Sequence, residues 1–290
     1  MESYIVDAFT SRPFFGNPAG VVLLSNNRTI SKDTMQLIAK ELKFSETAFV
    51  KRKSEDEFTV LFFTPTSEID LCGHATIASF TVLREKGYVK NGSYIMNSRA
   101  GKLEIIVESI SVFMEQAEPK MGQYLEISNV EFVAEMLGIN PEDVGDEKYN
   151  LLPAPVTTGL WDLIVPVKSK KVLFNITPDF EKISDFCRLN EIVSFHVFTL
   201  DEERALANCR DFAPLYGIPE ESATGTANGA LGFYLFKHGI IELNKTYKII
   251  QGEGMGRMSE IYVRVSTKGS EYRCYVGGEG KILFEGLLNI

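Results

Sequence analysis

The sequence has few residues of the kinds that build metal sites and disulfide frameworks. Its 290 residues include four cysteines, at 72, 187, 209 and 274, and three histidines, at 74, 196 and 238. No CxxC pair occurs, and the histidines show no zinc-ligand spacing with the cysteines. In a chain of this size, scattered cysteines indicate reduced thiols in a reducing compartment. We therefore expect neither disulfides nor a bound metal.

Long apolar runs and basic clusters are also missing. No apolar segment approaches the about 18 residues that a membrane span needs, and Met1–Asp7 has acids at positions 2 and 7 where a secretory signal would be apolar. With 30 basic against 39 acidic residues the net charge is −9, and the longest basic run has only three residues, Lys51-Arg52-Lys53. Proteins that neutralise phosphates need a basic footprint. We expect a cytoplasmic protein that binds neither membranes nor nucleic acid.

The phosphate-binding loops of nucleotide enzymes are absent too, since neither a GxGxxG segment nor a Walker loop occurs. This predicts that the protein uses no nucleotide or flavin cofactor. What is present is an ordinary globular composition, with 44% apolar and 24% charged residues. A length of 290 residues corresponds to about 1.9 typical domains. One large domain and two mid-sized domains are both compatible with it.

Two segments of the chain, 73–87 and 225–239, share the same internal spacing. In each, Gly-x-Ala opens the segment, and Ala, Leu and Gly follow five, ten and fourteen residues after the first glycine. Phe63-Thr-Pro65 precedes the first segment and Phe212-Ala-Pro214 the second, with three extra residues in the second half. The shared register favours an internal duplication.

Each repeated segment is predicted to be a buried helix. Small residues start it, apolar residues recur at helical spacing, and Gly87 or Gly239 ends it. Because the segments are apolar on nearly all sides, we expect each to lie in the middle of its own domain. Two further helices are predicted over Ile30–Leu42, with Ser31 as the cap, and over Val130–Leu137. The predicted strands cover 3–9, 20–24, 47–50, 58–63, 102–107, 111–115, 161–167, 193–199, 261–265 and 273–276.

The starts of the two repeated helices are candidates for anion binding. The first N–H groups of a helix have no partner within it, and Gly73 and Gly225 would let a ligand approach the backbone. If both helices start where the two halves meet, their amides would hold a carboxylate without any Arg or Lys. The alternative is that both glycines only permit close packing of helix against sheet.

Several strings, in this order, give the sequence a family resemblance. They are Asp7-Ala-Phe-Thr10, Phe15-Gly-Asn-Pro-Ala-Gly-Val21, Ser45-Glu-Thr-Ala-Phe49, Glu68-Ile-Asp-Leu-Cys-Gly-His-Ala-Thr76, Arg210-Asp-Phe-Ala-Pro214, Thr224-Gly-Thr-Ala227 and Gln251-Gly-Glu-Gly-Met-Gly-Arg257. The sequence resembles the phenazine-biosynthesis PhzF-like family, within the diaminopimelate-epimerase-like fold. The resemblance runs from the first predicted strand nearly to the last.

The resemblance implies an α+β fold of two pseudo-symmetric domains, each a curved, mostly antiparallel sheet wrapped around a central helix. The N-terminal half is assigned to residues 1–117 and the C-terminal half to 118–280, with a strand in 281–290 returning to the first half. The resemblance also implies a homodimer, and a working site where the two halves meet. It agrees with the internal repeat.

Families that share the diaminopimelate-epimerase-like fold use different catalytic groups, and one position in the sequence distinguishes them. Cofactor-free epimerases of this fold place a cysteine at each helix start, where one thiolate removes a Cα proton and the other thiol returns it. Here Cys72 holds the first position but Thr224 holds the second. A threonine hydroxyl is far too weak an acid or base for that role. We therefore do not expect the two-thiol mechanism, and interpret Cys72 as a small buried hydrophobe.

The PhzF-like pattern instead uses a carboxyl group as the proton carrier, and the resemblance assigns this role to Glu46. The nearby Phe44, Phe49 and Val50 are apolar, so we expect the pKa of Glu46 to be raised towards neutrality. From spacing alone, the alternative is a solvated glutamate at the end of the 30–42 helix.

The other site residues follow from the same motifs. The resemblance places His74 where it would bind a substrate carboxylate or hydroxyl, and Thr226 keeps a hydroxyl where the family commonly has Ser. Glu221 falls on the position of a functional Asp, and its extra methylene moves the carboxylate by more than about 1 Å. Ser222 stands in place of a rigid proline. The substrate-binding candidates are Asn17, Asp70, Cys72, Gly73, Gly225 and Gln251; Arg257 also matches, and a turn or packing role explains Asn17, Asp70, Gln251 and Arg257 equally well.

We therefore expect a cofactor-independent isomerase that moves a proton on a small carboxylate or amino-acid-like substrate. The predicted catalytic residues are Glu46, His74, Glu221 and Thr226, and no metal-binding or cofactor-binding residue is assigned. Two alternatives stay open. One is a one-thiol epimerase with Cys72 as nucleophile or base, and the other is a non-catalytic protein that binds small carboxylates.

Overall fold

The structure is a computed structural model that describes residues 1–25, 30–125 and 127–290. The strands are β1 (Glu2–Ala8), β2 (Asn17–Leu24), β3 (Thr47–Arg52), β4 (Glu57–Phe63), β5 (Glu68–Ile69), β6 (Gly92–Ser98), β7 (Gly101–Val107), β8 (Val112–Glu115), β9 (Lys120–Met121), β10 (Ala154–Thr157), β11 (Trp161–Pro166), β12 (Ser194–Thr199), β13 (Ala207–Ala213), β14 (Ile218–Glu221), β15 (Thr246–Gln251), β16 (Ser259–Lys268), β17 (Glu271–Gly278) and β18 (Gly280–Leu287). The helices are α1 (Lys32–Leu42), α2 (Gly73–Glu85), α3 (Ile127–Leu137), α4 (Lys170–Asn175), α5 (Phe180–Asn190) and α6 (Gly225–Lys237), with short 3-10 turns at Pro141–Asp143, Pro214–Tyr216 and Glu253–Met255.

The chain forms two compact units. One contains residues 1–115 and 277–290, and the other contains residues 116–276. These limits differ by a few residues from the division at 117/118 and 280/281 that was drawn from the sequence. The longest described helices have 13 residues, and none of the described helices is long and apolar enough to cross a membrane.

The first unit is a curved sheet that covers helix α2. Its strands pair in the order β18-β1-β2-β3-β4-β6-β7-β8, and all of these pairs are antiparallel except β2–β3 and β4–β6. Helix α2 packs against β1, β2, β3, β8 and β18, and every residue from His74 to Leu83 is buried. The C-terminal strand β18 thus joins the sheet of the N-terminal unit by pairing with β1.

Helix α1 covers the outer face of this sheet. Ser31 caps it by accepting a hydrogen bond from the Thr34 amide, and Met35, Ile38 and Ala39 pack in one apolar cluster with the sheet residues Val22, Phe49 and Phe63. The structure therefore contains the amphipathic helix that the periodicity predicts.

The second unit repeats this arrangement around helix α6. Its strands pair in the order β9-β10-β11-β12-β13-β15-β16, with β11–β12 and β13–β15 parallel. Helix α6 packs against β10, β11, β12 and β16, and every residue from Ala227 to Leu235 is buried. Helices α3, α4 and α5 supply the apolar cluster on the other face. The expected fold class, a curved and mostly antiparallel sheet around one helix in each unit, is confirmed.

Several elements were not predicted from the sequence. Helix α5 has Asp179 as its N-cap and apolar residues at helical spacing, Ile183, Phe186 and Cys187, so its periodicity could have identified it. Strand β13 carries Asn, Arg and Asp in seven residues, a composition that is typical of loops. The other strands that the patterning missed are β5, β6, β9, β10, β14 and β15, and the other missed helix is α4.

Contact between β18 and α2 yields a stability prediction. A Cβ atom added at Gly280 would lie 2.5 Å from Thr81 Oγ1 and 3.0 Å from Thr81 Cβ, so we expect Gly280→Ala to lower the free energy of unfolding by about 1–3 kcal/mol through overpacking. Urea denaturation measures this change. Adding Thr81→Ala removes Oγ1, the nearer of these two atoms, so the double variant should be more stable than the sum of the single changes predicts. Strict additivity would contradict the packing argument.

Candidate active site

Glu46 is held at a strand start by the short connection between α1 and β3. Helix α1 ends at Lys43 in the left-handed conformation, with φ of 60°, and the chain enters β3 at Thr47. The carbonyl oxygen of Glu46 accepts a hydrogen bond from the amide of Gly20, at 3.1 Å, which anchors its backbone to β2. The side chain is 18% exposed. Glu46 is therefore a half-buried carboxyl group directly before β3, with its backbone bonded to β2, and not a solvated residue at the end of a helix.

Helix α2 places Cys72 and His74 against this carboxyl group. Cys72 is the N-cap in an extended conformation, and its side chain makes no capping hydrogen bond. His74, the second helical residue, is 6% exposed, and its Nε2 lies 2.9 Å from Glu46 Oε2. Cys72 Sγ lies 3.5 Å from His74 Nδ1. A carboxyl group, an imidazole and a thiol thus meet at the start of the buried helix.

Asn17 contacts the other side of the imidazole. The turn before it requires Gly16, because its φ is +68° and a Cβ atom there would overlap the carbonyl oxygen of Ala8. Asn17 Nδ2 then lies 3.3 Å from His74 Nδ1. In this arrangement Nδ1 accepts and Nε2 carries the hydrogen that faces Glu46. If the ring is charged, both nitrogens donate and the Asn17 amide must present its oxygen.

The charges of this cluster correct one expectation. Burial raises the pKa of Glu46, but contacts with His74, Ser45 and Cys72 outweigh burial and lower that pKa below its ordinary value. The expected rise towards neutrality is therefore wrong, because the apolar neighbours in the sequence are not the groups that the carboxyl group meets. Burial alone lowers the pKa of His74, but its hydrogen bond with Cys72 and its contact with the Glu46 carboxylate hold this pKa well above its ordinary value. Burial also raises the pKa of the Cys72 thiol.

A metal ion is one group that such a cluster could hold. The ligand atoms of Glu46, Cys72 and His74 lie within 4.8 Å of one another. However, His74 Nε2 and Glu46 Oε2 are only 2.9 Å apart, whereas two ligands of a tetrahedral zinc ion lie about 3.4 Å apart. The geometry is that of a direct ion pair, and the absence of a bound metal stays a prediction.

Asp70 lies at the surface. Its side chain is 66% exposed and lies 3.0 Å from Arg99 Nε, so its predicted role in substrate binding has no geometric support here. A cavity of about 480 Å³ in the same unit is lined by residues of β1 to β4, among them Leu24, Val50 and Phe58. None of the predicted site residues lines it.

In the second unit, Glu221 and Gln251 surround the N-cap of α6. Thr224 Oγ1 lies 3.0 Å from Glu221 Oε2 and accepts a hydrogen bond from Gln251 Nε2, at 3.0 Å. The same amide donates to the Glu221 carbonyl oxygen and accepts from the Thr224 amide and from Asn228 Nδ2. Since these four hydrogen bonds use its full capacity, Gln251 supports the helix start and has no free hydrogen-bonding group for a ligand.

Gly225 and Thr226 form the first turn of α6. The N-cap Thr224 is extended and makes no side-chain capping hydrogen bond, as with Cys72 on α2. The carbonyl oxygen of Thr226 accepts a hydrogen bond from Thr158 Oγ1, at 2.9 Å. The predicted catalytic role of the Thr226 hydroxyl stays a prediction.

Four buried polar residues beneath this helix start escaped the sequence analysis: Asp162, Ser194, His196 and Asp211. Ser194 Oγ lies 2.9 Å from Asp162 Oδ1 and 2.8 Å from Asp211 Oδ1, and His196 Nδ1 lies 2.9 Å from Asp211 Oδ1. Asp211 Oδ2 reaches Thr224 Oγ1 at 2.9 Å. The available signal was the presence of ionisable residues inside strand-like apolar runs, such as His196 in Ser194–Thr199.

With the fold and the two clusters described, comparison with known proteins identifies the family. The family model described as phenazine biosynthesis-like protein matches residues 6–286. An uncharacterized isomerase of Bacillus subtilis is 33% identical over 281 residues, which cover 94% of this chain and 93% of the relative. An uncharacterized isomerase of Escherichia coli K12 is 31% identical over 292 residues, covering 98% and 96%. The chain belongs to the phenazine biosynthesis-like family, and the expectation of an isomerase is confirmed.

More distant similarities agree with this assignment. The trans-2,3-dihydro-3-hydroxyanthranilate isomerase of Pseudomonas chlororaphis is 28% identical over 294 residues, covering 98% of each chain. A phenazine biosynthesis protein of the PhzF family from Bacillus anthracis superposes with a TM-score of 0.86 at 28% identity, covering 99% of each chain. A hydroxyproline epimerase from Agrobacterium vitis, at 10% identity and a TM-score of 0.58, covers 99% of this chain and 91% of its own, and shares the fold alone.

The Glu46–His74 pair yields a prediction for stability against pH. The raised pKa of His74 means that its contribution is fully present below the unfolded pKa of about 6.5 and is lost as the pH rises through the folded pKa. The lowered pKa of Glu46 means that its contribution is present above the unfolded pKa of about 4.3 and is lost at lower pH. We expect His74→Gln to be most destabilising between about pH 5 and 6. Urea titrations of the wild type and the variant across this range measure the difference.

Glu46→Gln removes the same pair from the other side and should flatten the same pH profile. A difference between the wild type and His74→Gln that grows steadily above pH 6.5 would show that the pair is not charged as described.

Proposed function

We propose that this isomerase is cofactor-independent and moves a proton between two carbons of a small carboxylate or amino-acid-like substrate, with Glu46 as its acid and base. The observation that carries the proposal is the contact of 2.9 Å between Glu46 and His74 at the start of a buried helix. A general base needs a fixed position and must be deprotonated before the reaction, and this contact supports both.

Glu46 begins the reaction as a base. Its lowered pKa keeps it a carboxylate at neutral pH, so it accepts a proton from a substrate carbon while the electron pair of the C–H bond moves into the conjugated part of the substrate. The protonated Glu46 now faces a positively charged His74, which favours loss of the proton. Glu46 therefore returns the proton to a second carbon and recovers its charge.

The start of α2 supplies a place for the substrate carboxylate. Because Cys72 makes no side-chain capping hydrogen bond, the first amides of the helix, beginning with Gly73, suit an anion. The positive end of the helix dipole also favours negative charge there. Gly73 lets a ligand approach the backbone. His74 and Asn17, which contact each other, would orient the polar substituents.

The named substrate of one relative fits this class. The Pseudomonas chlororaphis isomerase is named for a dihydro-hydroxyanthranilate, which carries both a carboxylate and an amino group. Glu221 and Ser222 depart from the family pattern beside the second helix start. A carboxylate displaced by one methylene changes the geometry offered to a substrate. We therefore propose the substrate class and not that particular substrate.

The test is deuterium incorporation from heavy water. Candidate carboxylates incubated with the wild type should gain deuterium at an activated carbon, and Glu46→Gln should reduce this exchange by about 100-fold or more, because general acid–base catalysis contributes that much. Mass spectrometry measures the exchange. The matched control is Glu41→Gln, a change at an exposed glutamate on the neighbouring helix α1, which should exchange like the wild type. Wild-type exchange by a folded Glu46→Gln variant would reject Glu46 as the proton carrier.

Cys72 provides the competing enzyme mechanism. Its thiol touches the imidazole, but burial raises its pKa, so little thiolate is present at neutral pH. We expect Cys72→Ser to retain activity within about tenfold, measured by the same exchange assay. Loss of exchange in Cys72→Ser, together with ligand-protected inactivation of the wild type by a thiol reagent, would favour the one-thiol epimerase instead.

A non-catalytic carboxylate-binding protein would bind ligands in a calorimeter and exchange no deuterium with any of them. The family relationship to named isomerases favours catalysis. A cytoplasmic location and a homodimer stay predictions, as do the roles assigned to Glu221, Thr226 and Gly225.

A further inference from the structure

Each unit contains three paired strands with the same arrangement, β2-β3-β4 in the first unit and β11-β12-β13 in the second. The residues of these strands that face the central helix differ between the two units. In the first unit Gly20 pairs with Thr47 and Thr47 with Phe63; in the second, Leu163 pairs with Phe195 and Phe195 with Phe212. Phe63 and Phe212 are equivalent in the sequence repeat, so both ladders are in register.

One residue along each strand, the first unit has Ala19, Ala48 and Phe62 where the second has Asp162, His196 and Asp211, and all six are buried. The same register makes Ser194 the counterpart of Glu46. The first unit shows that this fold is built with apolar residues at three of these positions. Burying two carboxyl groups and an imidazole there costs free energy that apolar residues at the same positions avoid.

The second unit connects these buried groups in one chain of contacts. It runs from Asp162 through Ser194, Asp211 and Thr224 to Glu221, with oxygen–oxygen distances of 2.9, 2.8, 2.9 and 3.0 Å. His196 Nδ1 adds a contact of 2.9 Å to Asp211. This series of contacts leads from Asp162, Ser194 and Asp211, whose side chains are at most 1% exposed, to the carboxyl group of Glu221 at the end of β14.

The number of hydrogens that the hydroxyl groups supply determines how many carboxyl groups in this series of contacts are protonated. If each of the four contacts is a hydrogen bond of its own, four hydrogens are needed, and Ser194 and Thr224 supply one each. Two more hydrogens must come from carboxyl groups. Asp211 accepts from Ser194 and His196 and is the carboxylate in the middle, which leaves one proton on Asp162 and one on Glu221. Burial and the nearby Asp211 raise the pKa of Asp162 well above its ordinary value, which agrees with this count.

We propose that Glu221, Thr224 and Asp211 form a proton relay, and that Asp162, Ser194 and His196 are positioning residues that hold Asp211 as its inner acceptor. In one step the Glu221 Oε2–H bond breaks as a Thr224 Oγ1–H bond forms, while the original Thr224 O–H bond breaks and an Asp211 Oδ2–H bond forms. One proton moves from Glu221 to Asp211, and no electron is transferred. The threonine hydroxyl thus conducts a proton, although it is too weak an acid to serve as the end of the path.

Two unpartnered atoms support the assignment of the inner groups. His196 Nε2 and Asp162 Oδ2 are buried, and neither has a hydrogen-bond partner. A hydrogen on Nε2 would be an unsatisfied buried donor, which favours the neutral ring with its hydrogen on Nδ1, facing Asp211. A neutral Asp162 likewise tolerates an unpaired oxygen better than a carboxylate would. Asp211 therefore carries the negative charge of the inner group.

The first experiment needs no substrate. Infrared spectroscopy at pH 7 detects the C=O stretch of protonated carboxyl groups, and we expect Asp162→Asn and Glu221→Gln each to remove part of this signal from the wild-type spectrum. The matched control is Glu220→Gln. Glu220 is the neighbour of Glu221 and is ion-paired to Arg210 at 2.8 Å, so the control should leave the signal unchanged. A signal unaltered by Glu221→Gln would overturn the relay.

The second experiment tests transport of the proton and rests on the proposed function, with Glu221 exchanging a proton with a polar substituent of the substrate while Glu46 acts on its carbons. We expect Thr224→Val to lower kcat for isomerisation by about 100-fold with KM changed less than threefold, and Thr224→Ser, which keeps the hydroxyl, to restore kcat to within about threefold of the wild type. Thr246→Val, at an exposed threonine on β15, is the control and should leave kcat unchanged.

A wild-type kcat in Thr224→Val would overturn the relay. If the wild type itself exchanges no deuterium with any carboxylate, the proposed function fails, and the infrared result still decides the proton count.

Discussion

The structure depends on the burial of two helices that have no polar face. Helix α2 is buried from His74 to Leu83 and helix α6 from Ala227 to Leu235, so each must be covered on every side, and a curved sheet does this. The backbone groups that have no partner within such a helix lie at its ends. At the starts, Cys72 and Thr224 are extended caps without side-chain capping hydrogen bonds. The need to cover an apolar helix therefore determines where uncapped helix starts and the ionisable side chains beside them occur.

The two units use one frame for different chemistry. In the first, the strand surface next to the helix is apolar, and a single carboxyl group, Glu46, meets His74 at its edge. In the second, the equivalent surface carries Asp162, His196 and Asp211, linked through Ser194 and Thr224. After duplication of a frame, one copy can keep the packing that stabilises it while the other accepts buried polar groups at a cost in free energy. The first unit thus shows which residues the fold accepts at these positions when no buried polar groups are present.

The family relationship and the geometry answer different questions. Membership of the phenazine biosynthesis-like family makes the chain an isomerase. The geometry adds the charge of Glu46: its contact with His74 helps to lower its pKa below the ordinary value, so the side chain is a carboxylate at neutral pH. The apolar neighbours of Glu46 in the sequence suggested the opposite, because adjacency along the chain does not show which side chain faces a carboxyl group across the fold.

The sequence by itself determined the repeat, the two buried helices, the amphipathic helix α1 and the strands with strong apolar patterning, since these follow from local periodicity and from glycine at helix ends. Motif resemblance added the family and the candidates Glu46 and His74. Only the tertiary structure decided that Asp70 pairs with Arg99 at the surface, that Gln251 uses its hydrogen bonds to support a helix start, and that Asp211 joins His196 to Thr224. These contacts join residues that are distant in sequence, and the pairing of strands and the burial that set pKa values have no local signature.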